Sequence, residues 1–348
     1  MEKLKIGLIF GGRSEEHEIS IMSARSIYSV IDRNKYEIKP FAISKNGYCL
    51  DSEESLKVLE NQNISVLIKD ELLSLASSFK PIIESNIDLA FPILHGPFGE
   101  DGRLQGMLEI LDIPYVGTGV LSSAVGMDKA IMKNLFANNN IPQGRYKIVY
   151  KYDINDIKKL QKEVKSDIAW PCFIKPANMG SSIGITKVNK AEELGLALEE
   201  AFKYDYKAVV EEYIPGREVE CSVLGNTNIQ VSLPGEIKSN NDFYDYKAKY
   251  QDNSTELIIP ANLSDKVIND IKTISREAFR AVDAHGFARV DFFITKKDEV
   301  LVNEVNTIPG FTRYSMYPKL WEVSGLPYKN LIDRLIELAL EWNEIIKT

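Results

Sequence analysis

The chain has 348 residues, more than one hydrophobic core usually serves, so two or three domains are expected and a small single module is excluded. Apolar residues make up 44% and charged residues 26%, which excludes a disordered, collagenous or coiled-coil chain. Lys and Arg total 42 against 50 Asp and Glu, a net charge of -8 that gives no diffuse attraction to nucleic acid or anionic lipid. Cys49, Cys172 and Cys221 show no Cys-x-x-Cys spacing, so neither a disulfide framework nor a zinc ribbon is indicated. The first apolar run, Ile6 to Phe10, stops at Gly11-Gly12, too short for a signal peptide or a membrane span; a cytoplasmic chain with no membrane partner is expected.

Lys3 to Phe10 reads as a strand, and the break Gly11-Gly12-Arg13-Ser14 leads into a helix with Ile19, Met22, Ile27 and Ile31 as its apolar positions. Strand signals recur at Tyr36 to Ser44 and Asp88 to Leu94, while Leu104, Met107, Leu108 and Leu111 space one helical face over Asp101 to Leu111. With a further strand at Ile113 to Val116, residues 1–117 are expected to form an N-terminal, Rossmann-like parallel α/β domain. A helix from Gly119 to about Asn138 opens a central α+β domain, 118–210. Its strands are expected at Tyr146 to Tyr150, Pro171 to Pro176, Gly184 to Val188 and Ala208 to Ile214, around helices near Ile154 to Lys165 and Lys190 to Phe202. The C-terminal domain, 211–348, then holds a polar stretch from Ser239 to Thr255, a helix from Ser264 to Ala284, strands Phe287 to Thr295 and Val300 to Thr307, and a closing helix Tyr328 to Lys347.

Arg289 and Asp291 lie two apart on one strand, and Glu304 and Asn306 two apart on the next, so each pair faces one side of a sheet. A hairpin turning at Lys297 and Asp298 sets Asp291 opposite Glu304 and Arg289 opposite Asn306. Two carboxylates and an amide oxygen in cross-strand reach are a ligand set for Mg²⁺, a hard ion that shares its remaining positions with water and phosphate. An exposed hairpin shows the same alternation; the large apolar Val290, Phe292, Val302 and Val305 argue instead that the opposite face is buried.

Lys175 stands at the end of an apolar strand, just before the small-residue loop Asn178 to Gly184, as a phosphate site requires, although a snorkelling edge lysine would read the same way. The loop is not a P-loop. Gly180 to Gly184 also spells G-x-S-x-G around Ser182, but an esterase elbow needs a helix after the turn, and Ile185 to Val188 reads as a strand. Lys129, Glu211 and Glu218 taken alone are ordinary surface charges. His95 follows the apolar strand Phe91 to Leu94, at the carboxyl end where open α/β sheets bind ligands, whereas His17 and His285 read as surface or cap residues. Glu16 follows the first strand in the same way.

Six stretches then become specific together: Phe10 to Ser20, Leu94 to Gly102, Gly126 to Lys129, Lys175 to Gly184, Phe243 to Tyr250 and Asn303 to Thr312. In this order they resemble the D-alanine:D-alanine ligases of the ATP-grasp superfamily, over Leu4 to about Leu340. The resemblance implies a three-domain ATP-grasp fold and an ATP-dependent ligase. It would join two D-alanines through an acyl phosphate for peptidoglycan synthesis, as a homodimer without nucleic acid. It implies two Mg²⁺ ions, or Mn²⁺, on Asp291, Glu304 and Asn306, and ATP held by Lys129, Lys175, Ser182, Glu211, Tyr213, Ile214, Glu218, Tyr244 and Lys249. It further implies catalytic roles for Glu16, Ser181, Tyr250, Arg289 and Ser315, and D-alanine contacts from His95, Gly310 and Met316. The Ser239 to Thr255 stretch would be a lid that keeps water from the acyl phosphate.

Ligases of the vancomycin-resistance type, which make D-alanyl-D-serine or D-alanyl-D-lactate, carry an arginine in the stretch where this chain has Met316. The lactate type lacks the pattern seen here from Tyr246 to Tyr250. A non-catalytic ATP-grasp binding module would be expected to have lost a metal ligand, and none is lost.

Overall fold

A computed structural model describes residues 2–60, 75–239 and 255–348. Strand β1 (Leu4–Gly11) runs parallel to β2 (Tyr36–Ile43) and β3 (Leu89–Pro92) in the order β2-β1-β3. Alternate residues of β1 point to opposite faces, and both faces are covered. Ile6, Leu8 and Phe10 pack with Ile21, Ala24 and Ile27 of helix His17–Val30 and with Leu331, Leu335 and Ile336 of helix Tyr328–Lys347, which returns from the far end of the chain. Ile9 packs with Ile82, Leu104 and Leu108 on the other side.

The first helix buries Ile27 and Ile31 as expected, with Ile19 half-buried. Met22 is exposed, and the buried positions include His17, Ser20 and Ser23. These polar groups are matched: Ser20 Oγ donates to Ile93 O at 2.6 Å, and His17 Nδ1 lies 2.8 Å from Gly12 O. The expected strand at Ile113 to Val116 is only a bridge between Tyr115 and Ala90, because Pro114 has no N–H to give a ladder.

The single helix expected up to Asn138 is two, Val120–Met127 and Lys129–Asn138. Asp128 between them is extended, and its carboxylate accepts from the amides of Ala130 and Ile131, so an N-cap ends one helix and starts the next with Lys129 in its first turn. Val125, Met132 and Phe136 of these helices are buried in the core of the third sheet rather than the second.

The second sheet is antiparallel, with β4 (Tyr146–Tyr150), β5 (Cys172–Pro176), β6 (Thr186–Val188) and β7 (Lys207–Glu212) in the order β4-β7-β5-β6. Helices Ile157–Asp167 and Leu194–Ala201 supply its core with Val164, Leu194 and Leu198. The third sheet contains β8 (Gly216–Leu224), β9 (Gln230–Val231), β10 (Gly235–Ser239), β11 (Thr255–Ile258), β12 (Phe287–Thr295) and β13 (Val300–Asn306). Its order is β11-β10-β8-β12-β13, with β9 on β8. Helix Asp265–Ala281, capped by Ser264, covers one face through Val267, Ile271 and Phe279. Tyr244, Lys249 and Tyr250 lie outside the described residues, between the paired ends of β10 and β11. Among the described residues no helix is long and apolar enough to cross a membrane.

Candidate active site

A cleft of about 510 Å³ is lined by residues of all three sheets and their connections. Its floor is the β12–β13 hairpin, where Arg289 pairs with Asn306 and Asp291 with Glu304, the register expected from spacing. The turn is longer than expected, with Lys296, Lys297 and Asp298 between Thr295 and Glu299, and Asp298 is left-handed at φ 61°. Ile294 therefore faces Val300, one step out of the expected register, until a bulge between Asp291 and Phe292 leaves Asn303 unpaired and restores the alignment at the four polar residues.

Arg289 holds Asp291 through two bonds of 2.7 Å and lies 3.0 Å from Glu220 of β8. The Asn306 amide donates to Asp291 at 2.9 Å. Burial works against the guanidinium charge, but Asp291 and Glu220 outweigh it and hold the Arg289 pKa well above its usual value. Glu304 lies 3.6 Å from Lys129 Nζ. Among the described residues no three His, Cys, Asp or Glu side chains converge as a metal site. The set offered here is two carboxylates and an amide, with cationic side chains against both acids. Its all-oxygen chemistry and its position on the cleft floor fit Mg²⁺.

Lys129 and Lys175 line the cleft beside this floor. Lys175 on β5 is 9% exposed and donates to Glu211 of β7 at 2.7 Å, and the bulged Asn303 is 3.5 Å from it. Lys133, one helical turn beyond Lys129 and 2% exposed, reaches the other Glu211 oxygen at 3.4 Å. Burial disfavours the Glu211 charge, yet Lys133 and Lys175 more than offset this and hold the carboxyl below its ordinary pKa. Burial pulls Lys175 down, whereas Glu211 and Glu304 push it up further; Lys133 ends below the usual value because burial dominates. Lys129 donates to Met179 O at 2.7 Å. Tyr213, Ile214 and Glu218 line the same cleft where β7 passes to β8.

The glycine-rich loop covers one side. Ser181 and Ser182 are left-handed, at φ 51° and 60°, and Ser181 Oγ donates to Glu16 at 2.5 Å, tying the second sheet to the turn after β1. A Cβ at Gly96 would stand 2.9 Å from Glu16 Oε2 and one at Gly180 3.1 Å, so both glycines make room for this carboxylate. His95 is buried, with Nδ1 3.0 Å from Ile308 O and Nε2 3.2 Å from Ser23 Oγ. Burial lowers its pKa, with Glu16 pulling the other way, and a neutral ring with the proton on Nδ1 fits both bonds.

Gly310 lines the cleft, and Ser315 stands behind it, its Oγ accepting from Thr312 N at 3.1 Å. Met316 is not among the cleft-lining residues: it starts helix Met316–Val323 and is buried with Ile237 and Leu320 behind β10. His285 is also not a surface group; it is 6% exposed and stacks on Trp342 at 4.0 Å.

Sequence reasoning missed Glu100, Lys133, Glu220 and Asn303. Glu100 lines the cleft, and burial together with Glu16 raises its pKa well above the usual carboxyl value. Lys133 follows Lys129 by four residues and Glu220 follows Glu218 by two, so helical and strand periodicity carried both signals. The bulge at Asn303 has no such signal.

A family model described as D-ala D-ala ligase N-terminus matches residues 5–118, and one described as D-ala D-ala ligase C-terminus matches 135–337. The D-alanine–D-alanine ligase of Halothermothrix orenii is 52% identical over 342 residues, covering 98% of this chain and 99% of that protein. That of Geobacillus thermodenitrificans is 45% identical, covering 97% and 96%. The D-alanine–D-alanine ligase structure from Coxiella burnetii superposes with a TM-score of 0.84 at 36% identity, covering 100% of this chain and 97% of the other. The VanG D-Ala:D-Ser ligase of Enterococcus faecalis superposes at 0.83 and 35% identity, covering 97% and 100%. The chain, with its three sheets around one charged cleft, belongs to the D-alanine–D-alanine ligase family and has the ATP-grasp fold.

Proposed function

We propose that the protein joins two D-alanines into D-alanyl-D-alanine with ATP, releasing ADP and phosphate, in the synthesis of peptidoglycan precursors. The observation that carries this reading is the cleft itself, where Lys129 and Lys175 face the Asp291, Glu304 and Asn306 oxygens across a space next to Arg289 and Gly310.

Asp291, Glu304 and Asn306 would hold Mg²⁺, or Mn²⁺, which supplies Lewis-acid neutralisation of phosphate charge when bound. Lys129 and Lys175 bind the phosphates, and Glu211 with Lys133 fixes where Lys175 stands. The first D-alanine carboxylate attacks the terminal phosphorus, the bond to ADP breaks, and an acyl phosphate forms. The amine of the second D-alanine, having lost a proton, attacks the acyl carbon, and the C–O bond to phosphate breaks. Arg289 and the Gly310 N–H stabilise the oxyanion formed in between. Glu220 gives Arg289 a second anchor besides Asp291. The Ser181–Glu16 pair, hydrogen-bonded at the edge of the cleft, would take up the amine proton. A cytoplasmic homodimer completes this reading, on the strength of the family resemblance.

The experiment is isotopic. D-Alanine carrying ¹⁸O in its carboxylate is expected to give phosphate bearing one ¹⁸O, because an acyl-phosphate oxygen leaves with phosphorus. Unlabelled phosphate would contradict the mechanism.

A further inference from the structure

Lys207 on β7 is 4% exposed, does not line the cleft, and has no part in the reaction described above. Its ammonium donates to Asp128, the residue that breaks the helix before Lys129. The Asp128 carboxylate thus serves two purposes, since its Oδ1 also caps the Ala130 and Ile131 amides at 3.1 Å each.

The same group of residues grips the root of the glycine-rich loop. Asn178 donates through its backbone N–H and its side chain to one Asp205 oxygen, at 2.9 and 2.7 Å, and its Nδ2 lies 3.4 Å from Asp128. Lys207 N reaches the other Asp205 oxygen at 3.3 Å, and Lys207 O accepts from Ala177 N at 2.9 Å. Lys129 closes the circuit: its N–H donates to Ala177 O at 3.0 Å, and its Nζ donates to Met179 O at 2.7 Å.

These bonds join elements of different cores. The helix carrying Lys129 packs into the third sheet through Met132 and Phe136, whereas β7 and the strand before the loop belong to the second sheet. Both sheets line the cleft, so their spacing at this point sets how far the loop and Lys175 of the second sheet stand from Lys129 and from Glu304 of the third. A buried lysine whose carboxylate partner also caps a helix resists displacement, because moving either leaves an uncompensated charge out of water. Displacements near 1 Å at a positioned group cost up to about a hundredfold in function.

We infer that Lys207 and Asp128 are positioning residues that lock the glycine-rich loop and Lys129 into one geometry for binding nucleotide phosphates. The inference rests on the reading of the cleft as an ATP site and adds to it residues that touch no substrate.

The test is the calorimetric affinity of the full chain for ADP with Mg²⁺, in the wild type, Lys207→Met, Lys207→Arg and Asn178→Ala. Lys207→Met is expected to weaken ADP binding about tenfold, Lys207→Arg to stay within about threefold of the wild type, and Asn178→Ala to weaken it by more than about threefold. A merely structural ion pair would lower the melting temperature and the folded fraction while leaving the dissociation constant of the folded protein unchanged. Lys207→Met within about threefold of the wild type overturns the inference, as does Lys207→Arg binding as weakly as Lys207→Met. If Lys207→Met does not fold, Asn178→Ala decides by the same threshold. ADP affinity needs no peptide bond to form, so a wild type that binds ADP but makes no dipeptide strikes the ligase reading and leaves this comparison intact.

Discussion

Ser181 donates its hydroxyl hydrogen to the Glu16 carboxylate at 2.5 Å, joining the glycine-rich loop of the second sheet to the turn after β1. Ser181 is held left-handed, so the loop is bent toward this bond, and glycines at 96 and 180 clear space around the acid. Hydrogen bonds to charged groups contribute about 1.5–3 kcal/mol. Ser181→Ala is expected to lower kcat/KM for D-alanine by about ten- to a hundredfold, with a much smaller change in ADP affinity. Steady-state phosphate release against D-alanine and calorimetry with ADP separate the two; an unchanged kcat/KM would remove Ser181 from the site.

Glu304 stands opposite Asp291 on the cleft floor and within 3.6 Å of Lys129. Glu304→Gln keeps the shape but removes the charge, and is expected to reduce phosphate release by about a hundredfold or more, the scale of losing a preorganised charge partner. Raising Mg²⁺ should recover part of the loss. Turnover near the wild-type rate would sink the assignment of the metal to this face.

Burial against Trp342 pushes the His285 pKa down to about 4. The unfolded chain, with an ordinary histidine near 6.5, therefore binds more protons than the folded one between those values. The contribution of neutral His285 is complete above about pH 6.5 and is lost as pH falls toward 4. Between pH 7 and pH 5 this amounts to about 2 kcal/mol. His285→Phe retains an aromatic ring against Trp342 and does not titrate, so its urea unfolding midpoint should fall less than that of the wild type over this range. Parallel curves would show that His285 is not the group responsible.

The hairpin shows how much of the site sequence carries and where it stops. Alternation placed Arg289, Asp291, Glu304 and Asn306 on one face because a strand has a period of two, and no tertiary information was needed. The observed pairing reaches the same register by another route: a longer turn shifts the strands by one residue and the bulge at Asn303 shifts them back. Neither shift leaves a pattern in side-chain polarity. The break at Asp128 was hidden for a related reason, since an apolar run on both sides reads as one helix unless the cap is recognised. His285 reads as a surface residue because its partner, Trp342, lies on the last helix, and the stacking is set by how that helix docks. The exposed Met22 and the buried Ser20 and Ser23 reverse simple polarity because backbone carbonyls and amides next to the helix need partners.

In the proposed reaction the second substrate is D-alanine, whose amine attacks an acyl phosphate. Met316, buried with Ile237 and Leu320, does not line the cleft, and a hydrophobic contact rejects an added hydroxyl such as that of D-serine by only a few kcal/mol. The most direct measurement is ATP-dependent phosphate release with D-alanine alone and with equal D-serine or D-lactate, the products identified by mass. D-Alanyl-D-alanine is predicted as the main product in every mixture, with minor D-alanyl-D-serine and no D-alanyl-D-lactate between pH 6 and 9. Phosphate release that does not depend on D-alanine, or depsipeptide as the dominant product with D-lactate present, would contradict the account.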